Sequence, residues 1–163
     1  MSALTIEPTA ALIVIDLQEG FAETPSIHPI REIAFRSGEL AGAFRGAHLP
    51  VVLVNVDFGG SIEFLAEVRQ HRTDHVITKT QRSAFHEGTG LYDHLTELGV
   101  TDVVVTGFAS SRGVEATVRD AHAHGFRIIV ASDAVTDLSQ EDHDNSLESV
   151  FSELGTRHRR DRR

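Results

Sequence analysis

The sequence predicts a three-layer α/β domain, a mostly parallel sheet with helices on both faces. Three observations predict it. Five short strand-like runs recur along the chain, most with helically spaced apolar residues between them. The leading runs are apolar without a break, as strands covered on both faces must be. The length, 163 residues, suits one domain with a sizeable core.

The first strand is read at Ala10 to Ile15, a continuous run of Ala, Leu, Ile and Val. Ile30, Ile33, Ala34, Leu40, Ala41 and Phe44 then repeat at threes and fours as one face of a helix, and Pro50 begins the next strand, Val51 to Val56. His75 to Thr78 is shorter and more polar, which predicts a third strand nearer an edge. Leu91, Leu95 and Leu98 stripe a helix stopped by Gly99, which can take the left-handed C-terminal conformation. Val103 to Thr106 is the fourth strand; Val114, Thr117, Val118 and Ala121 line the helix after it, ending near Gly125. The fifth strand is Arg127 to Ala131. Leu147, Val150, Phe151 and Leu154 line the last helix, with Ser139 as candidate N-cap and Gly155 beyond its end. A sixth strand is expected to be short or missing, leaving the fifth as an arginine-containing edge. The domain is drawn at residues 1–156, and 157–163 are expected to form a basic, disordered tail.

Charge and composition narrow the function. The formal charge is −9, but the last seven residues carry five arginines and one aspartate, so residues 1–156 carry −13. An acidic body repels phosphate backbones, which argues against nucleic acid as partner. No apolar run approaches the ~18 residues of a membrane span, and the N-terminus lacks the basic start and apolar core of a signal peptide. A cytoplasmic protein without a membrane partner is expected. The absence of cysteine excludes disulfides, thiolate metal sites and a cysteine nucleophile.

One lysine, Lys79, stands among fourteen arginines, where a β-branched run ends. A compact ammonium differs from a guanidinium mainly where chemistry or tight packing is involved. Ligands of open parallel sheets bind beyond the carboxyl ends of the strands. Asp16 follows the first strand, Lys79 the third, and the small-residue run Gly107 to Gly113 the fourth, leading into a helix start that favours anions. Carboxylate, ammonium and helix start would share one rim. The alternative is a mere ion pair beside a tight turn.

These residues resemble a family. Ala11 to Gln18, Lys79 with Ser83-Ala84-Phe85, and Gly107 to Ala121 are similar to the isochorismatase-like hydrolases, and the resemblance runs on through Ser132-Asp133-Ala134 and His143 to Gly155. It implies strand order 3-2-1-4-5, with a sixth strand after the fifth, and an acid–amine–thiol triad in the amidase members. Asp16 and Lys79 match the first two positions; the third falls on Gly113, so the nucleophile is absent. The Phe108–Ala109 peptide matches the family's cis peptide, with the Ala109 and Gly113 amides as implied oxyanion donors. Asp16, Lys79 and Gly113 are thus the catalytic candidates, and Gln18, Phe21, Gln81, Arg82, Phe108, Ala109 and Ser110 the substrate-binding ones, with Arg82 suited to clamp a substrate carboxylate.

Without a thiol, covalent acyl-enzyme chemistry is lost. Isochorismatases also carry glycine there and cleave a vinyl ether with the aspartate as general acid. Burial would raise the Asp16 pKa while the Lys79 ammonium opposes it, and the sequence does not rank the two. Those enzymes also place Arg then Tyr after the lysine, whereas this chain has Thr80-Gln81-Arg82-Ser83 and shares Gln81 with a cysteine-less subgroup. In the expected strand order Lys79 starts roughly 10 Å from the first strand and must reach over the second. The short loop after the second strand leaves Asp57 without histidines, so no metal and no cofactor are expected. The resemblance implies a small-molecule substrate and a homo-oligomer. A non-catalytic binding or scaffold role for the same fold is the alternative. A phospho-receiver domain lacks its acidic pair here, and a dinucleotide site its glycine-rich loop.

Overall fold

The computed structural model describes residues 6–154 and the backbone of Arg157 and His158. The sheet is parallel throughout, in the order β3-β2-β1-β4-β5-β6. Its strands are β1 (Ala10–Ile15), β2 (Val51–Val56), β3 (His75–Lys79), β4 (Asp102–Phe108), β5 (Arg127–Thr136) and the two-residue β6 (Arg157–His158). The order of the first five is the one the sequence implied. The sixth is a stub, and it covers part of β5, which is therefore not a bare edge. Two residues that the sequence reading assigned to the basic tail thus pair with Val130 and Ala131; residues 159–163 lie outside the described residues.

Alternation along β1 builds two cores. Ala10, Leu12 and Val14 face α1 (Ile30–Gly46), packing with Ile30, Ile33, Leu40 and Phe44. Ala11, Ile13 and Ile15 face the other way, toward α2 (Leu91–Glu97) and α3 (Glu115–Ala123), with Leu91, Leu95, Val118 and Ala121. All six β1 residues are at most 1% exposed, which explains why no polar residue interrupts the run. The Ser139 hydroxyl accepts from the Asp142 amide and caps α4 (Gln140–Asn145), which passes through a π-helical turn, Ser146–Val150, into α5 (Phe151–Glu153).

Strand β5 is longer than the apolar run predicted. It pairs Val105 with Val130 but Gly107 with Val135, so five steps on β5 match two on β4. The surplus residues form a bulge, which accommodates the polar, half-buried Ser132 and Asp133 inside a strand. The Asp133 carbonyl accepts from Arg36 of α1 at 2.7 Å. The bulge sets Thr136 beside Phe108, at the rim where the site is built.

Gly107 holds β4 against the end of β1. Its φ is +127°, and a Cβ there would lie 2.1 Å from the Ile15 carbonyl oxygen. Only glycine fits both the dihedral and the contact. Gly107→Ala is expected to lower the unfolding free energy by about 3 kcal/mol or more, read as a fall in the urea midpoint; an unchanged midpoint would contradict the close approach.

Candidate active site

Strand ends place Asp16 and Lys79. Asp16 follows β1 with φ +56°, a left-handed conformation uncommon outside glycine and tolerated by aspartate. Its amide donates to the Val54 carbonyl at 2.8 Å, holding the turn against β2. Lys79, the last residue of β3, pairs in register with Val56, the last of β2. Its stem therefore crosses beyond the end of β2, and Nζ lies 3.0 Å from Asp16 Oδ2. The distance that looked prohibitive in sequence is bridged because β2 stops where the side chain must pass. Lys79 is 1% exposed and Asp16 6%.

The second carboxylate oxygen of Asp16 is buried and has no hydrogen-bond partner among the described residues. An unmet acceptor in this setting is costly and holds the carboxyl ready for a proton. Burial pushes the Asp16 pKa up from 3.8 to about 6, and the charge and hydrogen bond of Lys79, which lower it, only partly offset this. The competition that sequence could not rank is won by desolvation.

After β4, a π-helical turn over Ser110–Val114 leads into α3. The Ala109 carbonyl accepts from Arg112 and Val114 at 2.9 and 3.1 Å, and the Phe108–Ala109 peptide is cis. Gly113 is buried within the turn. A Cβ built on it would meet Asp16 Oδ2 at 3.2 Å, Ile15 Cγ2 at 3.3 Å and Lys79 Nζ at 3.4 Å. Any side chain at 113 would thus point at the acid–amine pair. Glycine keeps that contact free of a side chain.

A cavity of about 240 Å³ opens over Asp16. Its walls are Phe21, Thr24, Phe108, Ala109, Arg112 and Leu138. Phe21 packs at 5.6 Å between ring centroids on Phe108 and stacks at 4.5 Å on Phe58. Phe21, Phe108 and Ala109, named from the sequence, line this space. Gln18, Gln81, Arg82 and Ser110 do not. Gln18 is fully buried: its amide nitrogen donates to Val56 and Ser61 carbonyls and its oxygen accepts from the Val56 amide, so it braces the loop after β2. Gln81 and Arg82 are exposed outside the cavity wall. Ser110 is also fully buried, its hydroxyl 2.7 Å from His143 Nδ1 and donating to the Thr136 carbonyl at 3.2 Å.

Arg112, Thr24 and Leu138 were not legible as wall residues. Arg112 had one available signal, its place beside Gly113 in the small-residue turn. Asp137, also fully buried, accepts the Ser111 and Leu138 amides at 2.8 and 2.7 Å and pins the far side of the turn. Among the described residues no three His, Asp or Glu side chains are grouped to hold a metal ion, and no helix is long and apolar enough to cross a membrane.

The isochorismatase domain profile matches residues 10–158. The chain belongs to the isochorismatase family. It is similar to the isochorismatase family protein YecD of Escherichia coli O157:H7, 34% identical over 90% of this chain and 89% of that one. Nicotinamidase 3 of Arabidopsis thaliana is 27% identical over 85% of this chain and 78% of its own length. Among solved structures, an isochorismatase family protein of Burkholderia thailandensis superimposes with a TM-score of 0.91 at 31% identity, covering 97% of this chain and 95% of the other. The family match places this chain among isochorismatase-like hydrolases.

Since Lys79 is what restrains the Asp16 pKa, Lys79→Met is expected to move the Asp16 midpoint above 6 in a carboxyl-carbon NMR titration. A midpoint that stayed or moved down would show that Lys79 does not lower the Asp16 pKa.

Proposed function

We propose that this chain is a hydrolase of a small metabolite in which Asp16 is the acid/base group, Lys79 its charge partner, and the Ala109 and Gly113 amides the donors to a developing oxyanion. One observation carries the reading: Asp16, a buried carboxyl with a raised pKa and an unpartnered oxygen, lines a cavity at the rim where Lys79 and the Gly113 turn meet it. A carboxyl perturbed by burial beside a charge partner in a cleft is a candidate for acid/base work.

Acid-catalysed cleavage of a vinyl ether suits this arrangement. The Asp16 carboxyl proton passes to the terminal alkene carbon, and water adds to the resulting oxocarbenium carbon. The hemiketal then collapses to a carbonyl compound and an alcohol, and the proton released by the added water restores the carboxyl. No nucleophile on the protein is required. Lys79 keeps the carboxylate formed after proton transfer from standing as a lone buried charge. A non-catalytic binding protein is the second reading, favoured by the missing nucleophile at Gly113.

The test is a turnover screen with vinyl ethers, amides and esters, run on wild type and Asp16→Asn. The variant is expected to lose about 10²–10⁴-fold in kcat on any substrate found; equal rates would favour the binding-protein reading. Because Asp16 is protonated below about 6, kcat is expected to fall as pH rises through that value, close to tenfold per unit above it. A rate that instead rose through this range would assign Asp16 a base role. Gly113→Cys sets a thiol beside Asp16 and Lys79 and is expected to create amidase activity; a well-folded, thiol-reactive variant with none would argue that the turn is not arranged for acyl transfer.

A further inference from the structure

The cavity over Asp16 has a composition that its place in the fold does not demand. Its body is apolar and aromatic, from Phe21, Phe108 and Leu138, and its floor is Asp16. The cation on its wall is Arg112. Among the described residues Arg112 makes no ion pair, as is also true of Arg69, Arg72 and Arg82, but of these four it alone lies on the cavity wall, whereas Arg31, Arg36, Arg45, Arg119 and Arg127 each hold a carboxylate. A free guanidinium beside apolar walls is a recognition group for a planar anion, which it can grip through two parallel N–H donors.

The floor does not oppose this. The Asp16 carboxylate is neutralised by Lys79 at 3.0 Å, so the pair presents no net negative charge to a ligand. The open oxygen of Asp16 also asks for a donor or a proton rather than a cation. The chain as a whole carries −9, so an anionic ligand could be held only where a local cation overrides that field. Size sets the last constraint. A volume of about 240 Å³ lies below the usual range for drug-sized ligands, which limits the occupant to a small molecule of about one ring. The Phe21 and Phe108 rings, tilted by 58° to one another, are the aromatic surfaces such a ring would meet.

We infer that the site selects a small, flat, carboxylate-bearing ligand, its apolar body between Phe21, Phe108 and Leu138 and its carboxylate on the Arg112 guanidinium, in preference to the neutral amide of the same shape. This inference rests on the reading of the Asp16 cavity as the active site, and it gives Arg112 the role that sequence had offered to Arg82. Arg82 is not on the cavity wall.

Benzoate and benzamide are the probes, since they share one outline and differ in charge. Binding is measured by calorimetry or ligand-observed NMR at low ionic strength, because the Arg112 side chain is exposed and salt would screen it. Wild type is expected to bind benzoate about tenfold more tightly than benzamide. Arg112→Gln is expected to bring the two within about twofold, while Arg72→Gln, exposed and outside the cavity, leaves the preference intact. Equal binding by wild type, a preference for benzamide, an undiminished benzoate preference in Arg112→Gln, or no saturable binding of either probe would each overturn the inference. The two readings fail separately. Turnover that depends on Asp16 without benzoate selectivity removes only the ligand class, whereas selectivity without turnover removes only the hydrolase.

Discussion

The buried pair of Asp16 and Lys79 is the constraint around which the rest of the rim is organised. Two ions with at most 6% exposure lie 3.0 Å apart where sheet, turn and cavity meet. Removing charges from water costs several kcal/mol each, and their attraction repays this only with good geometry and further hydrogen bonds. Here the geometry is good and the hydrogen bonding is incomplete, because one carboxylate oxygen is left bare. Burial raises the Asp16 pKa despite Lys79, and the bare oxygen is tolerated where a ligand or a proton can relieve it. A pair placed only for stability would be better served by a second donor.

Much of the surrounding structure keeps this pair in register. β2 ends at Val56, so the Lys79 stem can cross, and Gln18 ties the strand end to the loop that follows. Gly107 lets β4 touch the Ile15 carbonyl, which brings the Ser110–Val114 turn over the pair. On the other side, the bulge of β5 delivers Thr136 and Asp137 to receive Ser110 and Ser111. His143 closes this network from α4, with burial and the nearby His28 holding its pKa below the ordinary histidine value, so it serves Ser110 as a neutral ring. The turn is thus fixed from both flanks before any ligand arrives, which suits a site that works by electrostatic preorganisation.

Legibility followed the physics of each signal. Apolar periodicity reports burial, so the strands, the helical stripes and both cores could be read from Ala10 to Phe151. Strand β5 was read too short because its bulge carries Ser132 and Asp133, whose polarity breaks the apolar run while the backbone stays paired. Asp16, Lys79 and Gly113 were legible because strand ends converge in any parallel sheet. Gln18 was named as a substrate contact, and its amide meets three backbone groups: a glutamine beside β1 looks the same in sequence in either case. Arg82 was named from the sequence and Arg112 was not, because position beside a strand end does not say which arginine lies on the cavity wall.

The sequence by itself therefore determined the layered fold, the order of its strands through the family resemblance, and the set of residues delivered to one rim, since hydrophobic pattern and chain connectivity decide those. Only the tertiary structure decided which of those residues face inward, that desolvation outweighs the lysine at Asp16, and that Arg112 rather than Arg82 stands on the cavity wall. Those outcomes depend on distances of a few ångströms between segments far apart in the chain, and no local pattern encodes them.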